Sequence, residues 1–334
     1  MKNGNAPRVR DIARMANVST ATVSRALSRP DLVSPSTREA VLKAVADAGY
    51  TVNVAARNLR RQRTGSVLAL VPNLANPFFS NIIAGINSVL RTRGLTLLVA
   101  DTQGGPDVHA QLGALAHSSR ADGLIVLDGS LPMSILTQPA CPPVVQACEW
   151  IDGLAAPRVM ADNRGGAALA VRHLIELGHR RIAEVTGPAG NTLTVERSKG
   201  VRDALAEAGV TQRNDWLLEG TFSLGSGQQA ARTLLAMKDR PDAVLCHNDE
   251  MACGLMGELQ RTGIRVPEDI SVIGFDNIDM AAHVTPGLTT VQQHRVDIGA
   301  KAADVLLELM ENGSPVDTTQ MPVHLVIRRS TAAR

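Results

Sequence analysis

Seven short apolar runs recur along this chain, at residues 67–71, 95–100, 124–127, 144–145, 182–185, 243–246 and 272–275. Runs of this length without polar alternation read as strands covered on both faces, the mark of parallel sheets. Between several of them the spacing turns helical, as in Phe79, Ile82, Ile83, Ile86, Val89 and Leu90. Strands alternating with helices predict open α/β sheets joined by right-handed crossovers. About 270 residues is large for one such core, so two similar lobes with a cleft between them are expected. Ligands of such sheets bind beyond the carboxyl ends of the strands, between the lobes.

The first 63 residues follow a different pattern. Val9, Ile12, Ala13 and Ala16 recur at helical spacing, a turn follows at Asn17, and Ser19 is a good N-cap for a second helix whose first turn Thr22 closes. Val18, Val23, Ala26 and Leu27 face one side of that helix, while Thr20, Ala21, Ser24 and Arg25 face the other. Two short helices joined this way form a helix-turn-helix, whose second member can enter a DNA major groove. Short side chains plus one bidentate donor suit close approach to base edges better than they suit a core. Ser34 and Pro35 open a third helix, with Val41, Leu42, Val45 and Ala48 as its packing stripe. A short segment from Asn53 to Arg60 then runs into Arg-Arg-Gln-Arg. Residues 1–63 hold 12 Lys and Arg against 4 Asp and Glu, whereas the remainder holds 22 against 28. A basic head on an acidic body is the electrostatic footprint of phosphate binding.

The stretches VRDIARMANVSTATVSRAL, NVAARNLR, NPFFSNIIAGI, HLIELGHRRIA, HNDEMACG and VPEDISVIGFDNID are spread from residue 9 to residue 290. In them the whole chain resembles the lactose-repressor (LacI/GalR) family of bacterial transcription regulators. The resemblance implies an all-α helix-turn-helix DNA-binding domain over 1–52, a hinge helix and linker over 53–63, and a two-lobed body like the periplasmic sugar-binding proteins. One lobe would comprise 64–162 plus 292–321 and the other 163–291 plus 322–334, with inter-lobe crossings near 161–163, 290–293 and 320–323. Ser19, Thr20, Ala21, Thr22, Ser24 and Arg25 are the expected DNA-binding residues of the second helix, and the family's major-groove base contacts fall on Thr20, Ala21 and Arg25. Its minor-groove hinge falls on Asn53, Ala56, Leu59 and Arg60. Where the family usually has Pro before the hinge asparagine this chain has Val52, which would alter how sharply the hinge helix starts. A helix of about two turns is marginal alone, so the hinge is expected to form when docked on DNA and paired with its twin. Leu59, apolar in a basic stretch, either wedges into a base step, as the resemblance implies, or packs on the body.

The chain has only seven aromatic residues: Tyr50, Phe78, Phe79, Trp150, Trp216, Phe222 and Phe275. Phe78 and Phe79 follow the first body strand and Trp150 the fourth. Phe222 matches a position that is often aromatic and ligand-contacting in the family. Such placement suggests stacking on a ring-shaped ligand, or else plugs at the lobe interfaces, a role that alternation favours for Phe275. The resemblance also places Arg197 and Asp276 as effector-binding residues, Asn248 as a polar cleft residue and Glu149 at a strand end that is often polar, while Asp249 is expected to be a structural cap. Arginine, carboxylates and rings together would suit a ribonucleoside, and STATVSRAL, PDLVS, CEW and GFDNID look most like the cytidine-responsive branch. The expected effector is a nucleoside first, a free sugar second and a purine base third.

Other function classes find little footing. Cys141, Cys148, Cys246 and Cys253 lack metal-site spacing and are expected to be reduced and structural. His173 and His179 share one helical pattern without a partnered carboxylate motif and are expected to be structural. No Walker, Gly-x-Gly-x-x-Gly or Gly-x-Ser-x-Gly motif is present, so no enzyme, cofactor or metal is expected. No apolar run reaches membrane-span length and no signal peptide is apparent, so a cytoplasmic protein is expected. The final residues, IRRSTAAR, carry no leucine-heptad tail. The expectation is therefore a homodimeric, effector-released repressor on a pseudo-palindromic operator duplex. A small-molecule-binding protein without DNA function would share the body but have no use for the basic head.

Overall fold

The computed structural model describes residues 7–50, 63–104, 106–313 and 317–334. The chain divides into two compact units, Met1–Arg63 and Thr64–Arg334. Asn53, Ala56, Leu59 and Arg60, the expected hinge residues, lie outside the described residues.

The first unit holds helices α1 (Val9–Met15), α2 (Thr20–Ser28) and α3 (Pro35–Ala48). Asn17 makes the turn between the first two at a φ of 50°, a left-handed conformation that asparagine tolerates. Ser19 caps α2, its hydroxyl oxygen accepting the Thr22 N–H at 3.0 Å. Ser34 caps α3 in the same way, accepting from Thr37 N–H at 3.4 Å. Ile12, Ala13, Val23, Ala26, Val41 and Ala44 meet in a small core. Leu42, expected in the α3 stripe, is instead 46% exposed. One residue turns a helix by about 100°, so the face defined by Val41, Ala44 and Val45 leaves Leu42 outside, and Ala44 fills the inner place.

The second unit contains two six-stranded sheets. The first comprises β1 (Ser66–Val71), β2 (Thr96–Asp101), β3 (Gly123–Val126), β4 (Val144–Ala147), β5 (Arg158–Ala161) and β11 (Thr319–Met321), in the order β11-β5-β4-β3-β1-β2. The second comprises β6 (Ile182–Thr186), β7 (Leu217–Glu219), β8 (Ala243–Cys246), β9 (Ser271–Asp276), β10 (Thr289–Gln293) and β12 (Val323–Val326), in the order β12-β10-β9-β8-β6-β7. The two orders are the same permutation. All pairings are parallel except that of β12 with β10. In each sheet the strand order reverses between the first strand and the third, which opens a crevice at the carboxyl ends. The chain passes between sheets after β5, after β10 and between β11 and β12.

The helices of this unit are α4 (Phe78–Thr92), α5 (Pro106–Leu115), α6 (Met133–Leu136), α7 (Asn163–Glu176), α8 (Thr192–Glu207), α9 (Leu224–Ala236), α10 (Asp249–Arg261), α11 (Asp279–His283) and α12 (Arg295–Asn312). Their packing depends on glycine where backbones touch. A Cβ on Gly85 would lie 2.0 Å from the Val296 carbonyl oxygen, and one on Gly299 would lie 2.0 Å from that of Ile82. Helices α4 and α12 therefore meet backbone to backbone across both positions. The first sheet's core includes Val67, Val71, Ile82, Ile86, Ile298 and Leu306. Ile278, which follows β9 of the second sheet, is buried in that same core, which also holds Phe78 and Phe79. The lobes thus share apolar contact next to the cleft.

Candidate functional site

On α2 the apolar face is used by the three-helix core, and the other face is open. Ser19, Thr20, Ala21, Ser24 and Arg25 are exposed and Thr22 is half-buried. The Ser19 and Thr22 hydroxyls pair at 2.8 Å, which fixes the first turn that presents Thr20 and Ala21. These side chains are short except for the guanidinium of Arg25, so the helix can approach a groove floor while one long fork reaches past it.

Between the lobes the carboxyl ends of β4, β6, β8 and β9 bring charged side chains together. Arg197, in the second turn of α8, is 2% exposed. Its Nε donates to Asn163 Oδ1 at 2.9 Å and Nη1 donates to the His247 carbonyl. Nη2 lies 3.6 Å from Asp276 Oδ1, and the guanidinium sits 3.8 Å above the Phe275 ring centroid. Asn163 in turn donates to the Ala161 carbonyl at 3.0 Å, so Arg197 is tied to the first inter-lobe crossing. Asp276 accepts from Gln293 Nε2 at 2.7 Å. Burial pushes its carboxyl up to about 6, against the pull of Arg197, Gln293 and Arg295. Its backbone φ of 114° and the 51° of Asn277 are left-handed at two successive non-glycine residues. Such strain persists only where the surroundings hold it.

The opposite lobe contributes Glu149, which accepts from the Gly129 N–H at 3.0 Å. Burial raises its pKa, opposed by that N–H and by a hydrogen bond from Asn191, the N-cap of α8. Asn191 therefore reaches across from the second lobe. Asp128, also buried, accepts from the Thr102 hydroxyl and from Ser130 N–H and Oγ at 2.8 and 2.6 Å. In the first turn of α8 the Thr192 and Thr194 hydroxyl oxygens are buried with no partner. Arg295 bridges the lobes, its guanidinium donating to the carbonyls of Pro77 at 3.5 Å and Asn277 at 3.1 Å.

Two comparisons by sequence and one by structure bear on this arrangement. Residues 8–53 match the family described as bacterial regulatory proteins, lacI family, and residues 171–331 match a periplasmic binding protein-like domain. The transcriptional repressor CytR of Escherichia coli (strain K12) is 38% identical over 336 residues, covering 99% of this chain and 98% of that protein. The chain belongs to the LacI family. The repressor PurR of Photobacterium profundum is 35% identical, with 96% of this chain and 98% of that one covered. The crystal structure of the Lac repressor dimer bound to operator and an anti-inducer superposes with a TM-score of 0.88 at 29% identity, covering 98% and 100% of the two chains. This LacI-family protein is a ligand-responsive, DNA-binding regulator with a helix-turn-helix head and a two-lobed α/β body, and its relatives are regulators rather than enzymes. Among the described residues no helix is long and apolar enough to cross a membrane.

Within that frame the fold brings Glu149, Arg197 and Asp276 into one electrostatic cluster. Asn248 takes the capping part expected of Asp249. Asn248, with extended backbone at φ −149°, is the N-cap of α10, accepting from Met251 N–H at 2.9 Å and donating to the Phe222 carbonyl at 3.0 Å. Asp249, already inside the helix, cannot cap; it is fully buried, accepting from Ile278 N–H at 2.8 Å and the Thr290 hydroxyl at 2.5 Å. Trp150 and Phe222 are half-buried, and the Arg158 guanidinium lies 5.6 Å from the Trp150 ring. Phe78 and Phe79 form an edge-to-face pair at 5.1 Å within the first lobe's core, and Phe275 is fully buried. Trp216 is buried in the second lobe's core, its outer side covered by Arg213 and Arg181. His179 pairs with Asp242 at 2.9 Å and with the Ala332 carbonyl, and His173 with Thr331. Both histidines hold the segment after β12. Asp128, Asn191, Thr194, Gln293 and Arg295 lie outside the set read from sequence; the available signal was that each follows or ends a strand, or starts a helix, at the carboxyl edge.

Proposed function

We propose that this protein is a homodimeric repressor whose operator affinity is set by a nucleoside held between the lobes, with α2 reading the major groove. The buried Glu149–Arg197–Asp276 cluster at the lobe junction, together with the half-buried rings of Trp150, next to Glu149 in sequence, and Phe222, whose carbonyl Asn248 holds, carries this reading. Carboxylates accept from ribose hydroxyls and the rings offer faces for a base. A thermal-shift panel of full-length protein with cytidine, adenosine, uridine, ribose and hexoses tests it. A ligand at 100 times its Kd adds about 2.7 kcal/mol to the native state, so stabilisation by a nucleoside and not by ribose is expected. Stabilisation by ribose or a hexose alone would replace the nucleoside with a sugar.

For DNA reading, Arg25→Ala is expected to lose about 1–3 kcal/mol of discrimination between operator and random duplex. A variant that weakens on both duplexes equally would reduce Arg25 to a phosphate contact. The dimer draws support from β2, an edge strand on which Leu98 is 43% and Val99 38% exposed. Exposed apolar edges invite pairing with another chain. Leu98→Asp is expected to shift sedimentation from dimer to monomer, and an unchanged dimer would place the interface elsewhere.

A further inference from the structure

The inter-lobe site holds more buried carboxyl groups than buried guanidiniums. Asp128, Glu149, Asp249 and Asp276 are each at most 7% exposed, and the buried guanidiniums beside them among the described residues are Arg197 and Arg295. Two more charges stand at the margin: half-buried Arg328, which pulls on Asp249, and half-buried Glu250, which pushes on Asp276. Nor are the guanidiniums idle. Arg197 serves Asn163, the His247 carbonyl and Asp276; Arg295 serves the Pro77 and Asn277 carbonyls; Arg328 serves the Leu288 carbonyl and Asn277 Oδ1. Beside Asn191, the Thr192 and Thr194 hydroxyl oxygens are buried without hydrogen-bond partners.

We propose that the effector is an uncharged or cationic molecule rich in hydrogen-bond donors, and that the site rejects phosphorylated compounds. This rests on the inter-lobe cleft being the effector site, and it applies to nucleosides and sugars alike. Like charges repel strongly in a poorly hydrated interior, and a phosphate needs charge-assisted donors that are not already taken. Burial is the main reason that the Glu149 and Asp276 carboxyls stand above their usual range, and Asp128 adds to the push on Glu149 as Glu250 does on Asp276. Hydroxyls and an exocyclic amine offset that push by donating to carboxylate oxygens, whereas a phosphate dianion adds to it.

Calorimetric titration of full-length protein compares cytidine with cytidine 5′-monophosphate and ribose with ribose 5-phosphate. In whichever pair binds, the unphosphorylated member is expected to bind at least about tenfold tighter, and equal or tighter binding of the phosphate ester overturns the proposal. Which pair binds decides separately between nucleoside and sugar. A second measurement stands without any ligand. In Asp128→Asn the amide keeps the Ser130 bonds and can donate to the Thr102 hydroxyl, so the change removes charge with little change of shape. The ligand-free variant is expected to melt at a higher temperature than the parent. A lower melting temperature would show that the carboxylates are fully compensated, and would overturn the charge argument whatever binds.

Discussion

Arg197→Ala is expected to destabilise the second unit by about 3–5 kcal/mol, the range found when one partner of a buried ion pair is removed. The substitution strands Asp276, 3.6 Å away and 5% exposed, and leaves the His247 carbonyl and Asn163 Oδ1 without their donor. It also uncovers the Phe275 ring. Both tryptophans, Trp150 and Trp216, lie in this unit, so urea unfolding followed by intrinsic fluorescence reports it directly. A clear fall in midpoint with an unchanged slope is expected, and Arg197→Lys should recover part of the loss. Wild-type stability combined with a lost ligand response would mean that the guanidinium serves the ligand and not the frame.

Gly299→Ala acts through geometry alone. Its Cβ would meet the Ile82 carbonyl oxygen at 2.0 Å, with the carbonyl carbon at 2.9 Å and the Ile86 nitrogen at 3.0 Å. None of these atoms is the end of a flexible side chain, so α4 and α12 must separate. Replacing a mid-helix glycine by alanine on its own gains about 1 kcal/mol. Overpacking typically costs about 1–3 kcal/mol and occasionally more, and a contact this short between two helix backbones belongs at the upper end. A net loss of about 2 kcal/mol is expected in the same unfolding assay. A variant as stable as the parent would show that the helix pair can slide.

These two residues mark where the amino-acid pattern was informative and where it was not. Strands built from consecutive aliphatic residues, such as β1 and β8, were legible because nothing else explains such runs. β10, Thr-Thr-Val-Gln-Gln, was not, because its buried threonine hydroxyls are satisfied by side chains distant in sequence: that of Thr290 by Asp249 and that of Thr289 by Thr331. The short edge strands β7 and β11 offer only three residues each. The helix-turn-helix was legible down to its caps, since capping is local chemistry. In the cleft, residue types pointed to the right edge of the sheets but not to the division of labour. Asn248 reads as a polar cleft residue and Asp249 as the cap, yet Asn248 caps α10 and Asp249 holds Ile278 and Thr290. Phe79 belonged to the helical stripe and to the list of cleft rings at once. The structure assigns its packing to the core, where Phe78 joins it.

The most direct measurement is the affinity of full-length protein for a palindromic operator duplex with and without the nucleoside that gives the largest thermal shift. Fluorescence anisotropy at fixed salt is suitable, because phosphate contacts make the affinity salt-dependent. Coupling between two sites is typically about 1–3 kcal/mol and must be reciprocal. A regulator of this kind should show at least about a fivefold change in operator affinity on adding the nucleoside, and the operator should change nucleoside affinity by the same factor. A nucleoside that stabilises the protein but leaves operator affinity unchanged would contradict the coupling on which the proposed function depends.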